Sequence, residues 1–272
     1  METKKIEIRK QNVPNIKHII VVASGKGGVG KSTVAASLAF SLANKGYATG
    51  LLDADLYGPS LPVLFNLHDK KPFVKLIDDK NFLVPFVKQK VKGMSIGFLV
   101  DSKQALIWRG PLVSNAIKQL LNDTLWGELD YLIVDTPPGT GDIHITLLQN
   151  YVISGVVVVT TPQKMALSDV RKAIQMYTDK KIGVPILGLV ENMAWFTPKK
   201  HPDEKYFVFG QSGGELLAQE LSIPLLAQIP VNEQICALCD RGKVGDLLLE
   251  EDFSKHIHSF TDKFIEQINL TI

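Results

Sequence analysis

The chain has 272 residues, 45% of them hydrophobic, which suits one large α/β domain and excludes global disorder. Thirty Lys and Arg against 28 Asp and Glu leave a net charge of +2, which argues against a dedicated nucleic-acid binder. Two cysteines cannot staple a secreted scaffold, no apolar run is long enough to span a bilayer, and residues 1–17 form a charged extension lacking the apolar stretch of a signal peptide. The expectation is a cytoplasmic protein with neither a membrane nor a nucleic-acid partner.

Short β-branched runs alternate with helical patterns, as in a parallel sheet covered on both faces. Strands are expected over residues 18–24, 49–55, 131–135, 155–161, 185–192 and 224–229. After the first strand, Val34, Leu38 and Leu42 recur every four residues, as do Ala35, Ala39 and Ala43, and Gly46 sits where a helix ends. Further helices are expected over residues 111–121, 166–178, 214–221 and 253–268, with another after Pro230. Residues 68–91, rich in Lys and Asp, read as a hairpin or surface excursion, and residues 197–206 as an exposed, mobile loop. With no internal repeat, residues 18–272 form one domain: an α/β three-layer sandwich with a mostly parallel central sheet.

Residues Gly25-Lys26-Gly27-Gly28-Val29-Gly30-Lys31-Ser32 satisfy G-x-x-x-x-G-K-[ST] between a strand and a helix, which specifies a P-loop NTPase fold. The glycines let backbone N–H groups converge on phosphate oxygens, and the helix adds its positive end. Lys31 is placed on the β- and γ-phosphates, Ser32 on Mg²⁺ and Thr33 near the α-phosphate. Asp135 ends an apolar strand, as a Mg²⁺-holding aspartate does, and Thr136-Pro137-Pro138-Gly139 reads as a switch sensing the γ-phosphate. Asp55 is the candidate for orienting the attacking water, and Asp53 for the Mg²⁺ shell. The chain lacks the N/T-K-x-D motif of guanine readers, which favours ATP; Asn192 and the turn Pro230-Val231-Asn232 are candidate adenine neighbours.

Lys26, a second lysine inside the loop, resembles the deviant Walker A of the MinD/ParA/nitrogenase-iron-protein class. There this lysine reaches the nucleotide of the facing subunit. The run Trp126-Gly127-Glu128-Leu129-Asp130-Tyr131-Leu132-Ile133-Val134-Asp135-Thr136-Pro137-Pro138-Gly139-Thr140-Gly141-Asp142 resembles the signature of Mrp/ApbC iron–sulfur cluster carrier ATPases. Asp53-Ala54-Asp55-Leu56-Tyr57-Gly58-Pro59-Ser60, Trp108-Arg109-Gly110-Pro111 and Val190-Glu191-Asn192-Met193 match the same family. The resemblance implies a nucleotide-dependent homodimer that holds a [4Fe–4S] cluster between subunits and delivers it to apo iron–sulfur proteins. It also implies a trans role for Lys26 and a catalytic one for Asp55.

Two departures stand out. Only about 15 residues precede the core, and residues 194–208, where the family carries its cluster-ligating C-x-x-C, contain no cysteine. The cysteines of this chain are Cys236 and Cys239, three apart on an expected helix. Two such pairs across a dimer could hold a cluster, or the pair could simply pack as small apolar residues. The rival readings are therefore a MinD/ParA-like positioning ATPase, or a regulatory ATPase that kept the switch without a cluster. A membrane-bound version should end in a basic amphipathic helix, whereas residues 253–272 hold only Lys255 and Lys263 as fixed cations.

Overall fold

The computed structural model describes residues 10–100 and 110–272. Residues 1–9 of the expected extension, and Trp108 and Arg109 of the expected motif, lie outside the described residues. Eight strands form one sheet in the order β10-β9-β8-β1-β7-β2-β6-β5. Their spans are β1 (Ile16–Ser24), β2 (Thr49–Asp53), β5 (Phe86–Lys88), β6 (Val91–Ser95), β7 (Leu129–Asp135), β8 (Gly155–Thr160), β9 (Ile186–Phe196) and β10 (Leu225–Val231). All neighbours pair in parallel except β5 against β6. The lysine-rich excursion supplies a separate two-stranded hairpin, β3 (Val74–Ile77) with β4 (Lys80–Leu83), before the chain returns along β5 and β6.

The connections fix the layers. β1 leads through α1 (Lys31–Asn44) to β2, two places along the sheet. The return runs the other way, through α3 (Pro111–Asn122), α4 (Asp142–Asn150), α5 (Lys164–Thr178) and α6 (Gly213–Glu220). Right-handed crossovers travelling in opposite directions put α1 on one face and this series on the other. The C-terminal helix α8 (Glu251–Thr271) packs on α1, β9 and β10 and so completes the first layer. Its buried stripe, Phe253, Ile257, Phe260, Phe264 and Ile268, follows helical spacing, and the Phe264 ring meets Tyr131 of β7 edge-on at 5.7 Å. The short helices α2 (Leu61–Leu64) and α7 (Glu233–Asp240) meet each other beside this layer.

β1, β7 and β8 are buried along nearly their whole length, as strands covered on both faces must be. Because β1 leads towards β2 and the later strands return across it, the chain reverses direction around β1 and β7. That reversal opens a crevice at the C-terminal ends of the central strands. Phe264→Ala, which empties the contact between α8 and Tyr131, should cost about 3–5 kcal/mol of unfolding free energy in urea titrations.

Candidate functional site

The loop after β1 turns through two left-handed glycines, Gly28 at φ 81° and Gly30 at φ 79°, conformations that side chains with a Cβ resist. Gly25 is needed for a different reason. A Cβ there would lie 2.4 Å from the backbone of Asp169 and Val170 in α5, so the loop rests directly on that helix. Lys26, Gly27, Gly28, Val29, Gly30, Lys31, Ser32 and Thr33 line a cavity of about 280 Å³, joined by Asp55, Gly58 and Pro138. The amide of Asn192, within β9, donates to the Val29 carbonyl at 2.8 Å. Asn192 thus secures the loop itself. Val231 pairs with Phe196 at the end of β10, and the register of β10 against β9 shifts across Pro230.

Charge is concentrated beneath the loop. Lys31 donates to Asp135, and both side chains are buried. Asp53 and Asp135 are direct register partners on β2 and β7, so two carboxylates stand side by side at the strand ends. Burial pushes the Asp53 carboxyl up to about 7, helped by the charge of Asp135 and opposed by bonds from Leu61, Ser95 and Asp55. The Asp135 carboxyl is also raised by burial, against the pull of Lys31 and the Ser32 hydroxyl. Asp55 lies past the end of β2 rather than within it, and accepts the N–H groups of Tyr57 and Gly58 at 3.2 Å each.

Asp53, at the end of β2 beside Asp135, is already engaged by four protein donors. Its carboxylate accepts Ser60 N–H at 2.9 Å, Leu61 N–H at 3.0 Å, Asp55 N–H at 3.1 Å and the Ser95 hydroxyl at 2.9 Å. Those donors come from the turn after β2, the start of α2 and the end of β6. Asp53 therefore organises the segment that carries Asp55. Ser60 and Ser95, which sequence reasoning missed, belong to the same knot; the Ser60 hydroxyl also lies 3.5 Å from Asp135.

Lys26 donates to the Gln163 side-chain oxygen at 3.3 Å, which also accepts from Thr161. The cysteines lie on α7. Cys236 is exposed and its thiol donates to Asp240 at 3.4 Å, while Cys239 is 9% exposed and its thiol reaches the Thr33 side chain. Burial pushes the Cys239 thiol up to about 11, and the hydrogen bond to Asp240 raises that of Cys236. No cluster of three or more His, Cys, Asp and Glu suited to a metal ion occurs among the described residues. Residues 197–206 form a loop whose base is closed by Phe196 and Tyr206, which exchange backbone bonds at 2.9 and 2.8 Å.

Residues 15–269 match the ParA family described as the NUBPL iron-transfer P-loop NTPase. The chain belongs to that family. A protein from Aquifex aeolicus named iron-sulfur cluster carrier protein is 46% identical over 86% of this chain and 63% of its own length. A Rickettsia conorii protein of the same name is 46% identical over 93% of this chain and 74% of its own. The chain thus spans just under two thirds of the Aquifex aeolicus relative. Among solved structures, a nucleotide-binding protein from Archaeoglobus fulgidus, in complex with ADP, has a TM-score of 0.74 and 39% identity, over 86% of this chain and 90% of its own. The cell division ATPase MinD from Pyrococcus furiosus shares the fold at a TM-score of 0.65 and 23% identity, over 92% of this chain and 99% of its own. No helix among the described residues is long and apolar enough to cross a membrane.

A Cβ on Gly30 would fall 2.2 Å from the Asn192 amide nitrogen while demanding a left-handed backbone. Gly30→Ala should therefore weaken nucleotide binding by about tenfold or more, from strain of roughly 1–2 kcal/mol. Calorimetry of a variant with unchanged circular dichroism checks this.

Proposed function

We propose that the chain binds and hydrolyses ATP with Mg²⁺ and, as a homodimer, carries an iron–sulfur cluster to apo-proteins. The observation that carries the ATPase part is the buried Lys31–Asp135 pair at the mouth of a glycine cradle. An ammonium and a carboxylate that neutralise each other in the interior are the charges a metal–triphosphate would separate. The ammonium would go to the phosphates, and the carboxylate would go to the cation. Ser32 and Asp135 would hold Mg²⁺, which when bound neutralises phosphate charge. The amides of residues 27–33 would hold the phosphates, and Asp55, which faces the cavity, would orient the attacking water.

Lys26 would act across the dimer. Its ammonium is held by Gln163 rather than by the buried carboxylates, and would exchange that neutral partner for a facing phosphate. Lys31→Ala should abolish tight MgATP binding. Lys26→Ala should spare binding and reduce turnover by about 10³-fold or more, as loss of a trans-acting cation does. Binding calorimetry alongside phosphate release separates the two effects, and normal turnover by the Lys26 variant would contradict the trans role.

The cargo part is supported by the names of the relatives, iron-sulfur cluster carrier protein. A second reading, a nucleotide switch of the same family without a cluster, is favoured by the cysteines themselves. A cluster ligand must be reachable, whereas here Cys239 is buried and packs against Thr33. A cluster shared by two Cys236–Cys239 pairs would require α7 to turn Cys239 outward. Anaerobic reconstitution with iron and sulfide, followed by iron counting and visible absorption, decides between the readings. The carrier reading expects bound iron that Cys236→Ser/Cys239→Ser loses, and wild type without iron would leave the switch.

A further inference from the structure

Next to the nucleotide cavity lies a second one of about 690 Å³, lined by Asp55, Gly58, Pro137, Pro138 and Asp142 among others. Pro138 and Asp55 face both cavities, so the segment after Asp135 is the wall between them. That wall has an unusual mechanical problem. Pro137 and Pro138 have no N–H groups, so hydrogen bonds can hold the pair only through carbonyls and through the residues on either side. On one side the Thr136 hydroxyl donates to Val22 O of β1 at 2.9 Å. On the other, Gly139 N–H donates to Ser24 O at 2.9 Å, with Gly139 itself in the left-handed region at φ 87°.

The Pro137 carbonyl is held from beneath by a buried histidine. His144 of α4, 1% exposed, places Nε2 2.9 Å from Pro137 O and Nδ1 2.6 Å from the hydroxyl of Tyr177 in α5. A carbonyl can only accept, so Nε2 carries the proton; Nδ1 then offers a lone pair to the Tyr177 O–H. Burial pushes the ring's pKa down to about 4, in keeping with this neutral tautomer. Tyr177 is fully buried, so neither partner can be replaced by bulk water. The two groups tie the switch segment to α4 and α5, and α5 is the helix on which Gly25 of the phosphate loop rests.

We propose that His144, its tautomer set by the Pro137 carbonyl and its ring held by Tyr177, is a positioning residue for nucleotide turnover. It holds the Pro137 carbonyl so that the wall beside Asp55 keeps its place when the γ-phosphate is attacked. This role rests on the ATPase reading above. It concerns the chemical step rather than binding, because His144 touches the switch segment and not the glycine cradle.

The test is steady-state ATP hydrolysis by wild type, His144→Leu, His144→Gln and Tyr177→Phe, each checked by circular dichroism. His144→Leu should lower kcat about tenfold with KM for ATP unchanged, the worth of one buried hydrogen bond. His144→Gln, whose amide can donate to the same carbonyl, should recover most of that loss. Tyr177→Phe should fall between wild type and His144→Leu. Wild-type turnover by His144→Leu would overturn the proposal, as would a Gln variant as slow as the Leu variant. Should the variants fail to fold, a long-range ¹H–¹⁵N spectrum of the wild-type histidines at neutral pH decides: a neutral Nε2–H ring is expected, and an Nδ1–H ring or an imidazolium overturns the assignment. Wild type without ATPase activity would instead defeat the ATPase reading, and the positioning role with it.

Discussion

The arrangement of the site depends on one buried electrostatic contact, the pairing of Lys31 with Asp135. Charges removed from water destabilise a fold unless each meets an opposite partner and further hydrogen bonds. Here the partner positions are delivered by separate elements: Lys31 by the first turn of α1, and Asp135 by the end of β7. The parallel pairing of β7 with β2 then forces Asp53 alongside Asp135. A second carboxylate so close, in so dry a place, would be intolerable without compensation. Four donors from the β2–α2 turn and β6 provide it. The turn that carries Asp55 is thus shaped by the need to satisfy Asp53. The local fold of the acidic side of the crevice follows from electrostatics begun at Lys31.

The opposite side of the crevice is held by β9. Glu191, fully buried, accepts Gly214 N–H at the start of α6 and the Gln228 amide from β10, both at 2.6 Å. The next residue, Asn192, secures the phosphate loop through Val29. Adjacent residues on one strand therefore connect the phosphate loop to the helix that follows residues 197–206.

Most of the central sheet was legible because its strands are nearly continuous apolar runs that end in small or polar residues, Ser24 for residues 18–24 and Thr161 for residues 155–161. β6 was missed because Val91-Lys92-Gly93-Met94-Ser95 mixes a cation and a glycine into a short run. The structure explains that glycine: a Cβ there would lie 2.5 Å from the Phe65 ring. α4 was missed because its buried face includes His144 and Thr146, polar residues that break the apolar period. β9 extends past residue 192 to Phe196, since pairing with Tyr206 continues the strand into the base of the loop. The phosphate loop could be read directly, because its glycines and lysine have few other uses in that order. The duties of Asp53 and Asn192 could not. Both depend on which donors and carbonyls the folded chain brings near, and those come from residues 2 to 163 positions away.

A metal–nucleotide entering the glycine cradle must open the Lys31–Asp135 pair as a latch. A crystal structure of the chain with a non-hydrolysable ATP analogue and Mg²⁺ tests this directly. Lys31 Nζ should leave Asp135 for the β- and γ-phosphate oxygens, with the Asp135 carboxylate turned to the metal or its water. A nucleotide bound elsewhere, or bound in the glycine cradle with the lysine still on the aspartate, would contradict it.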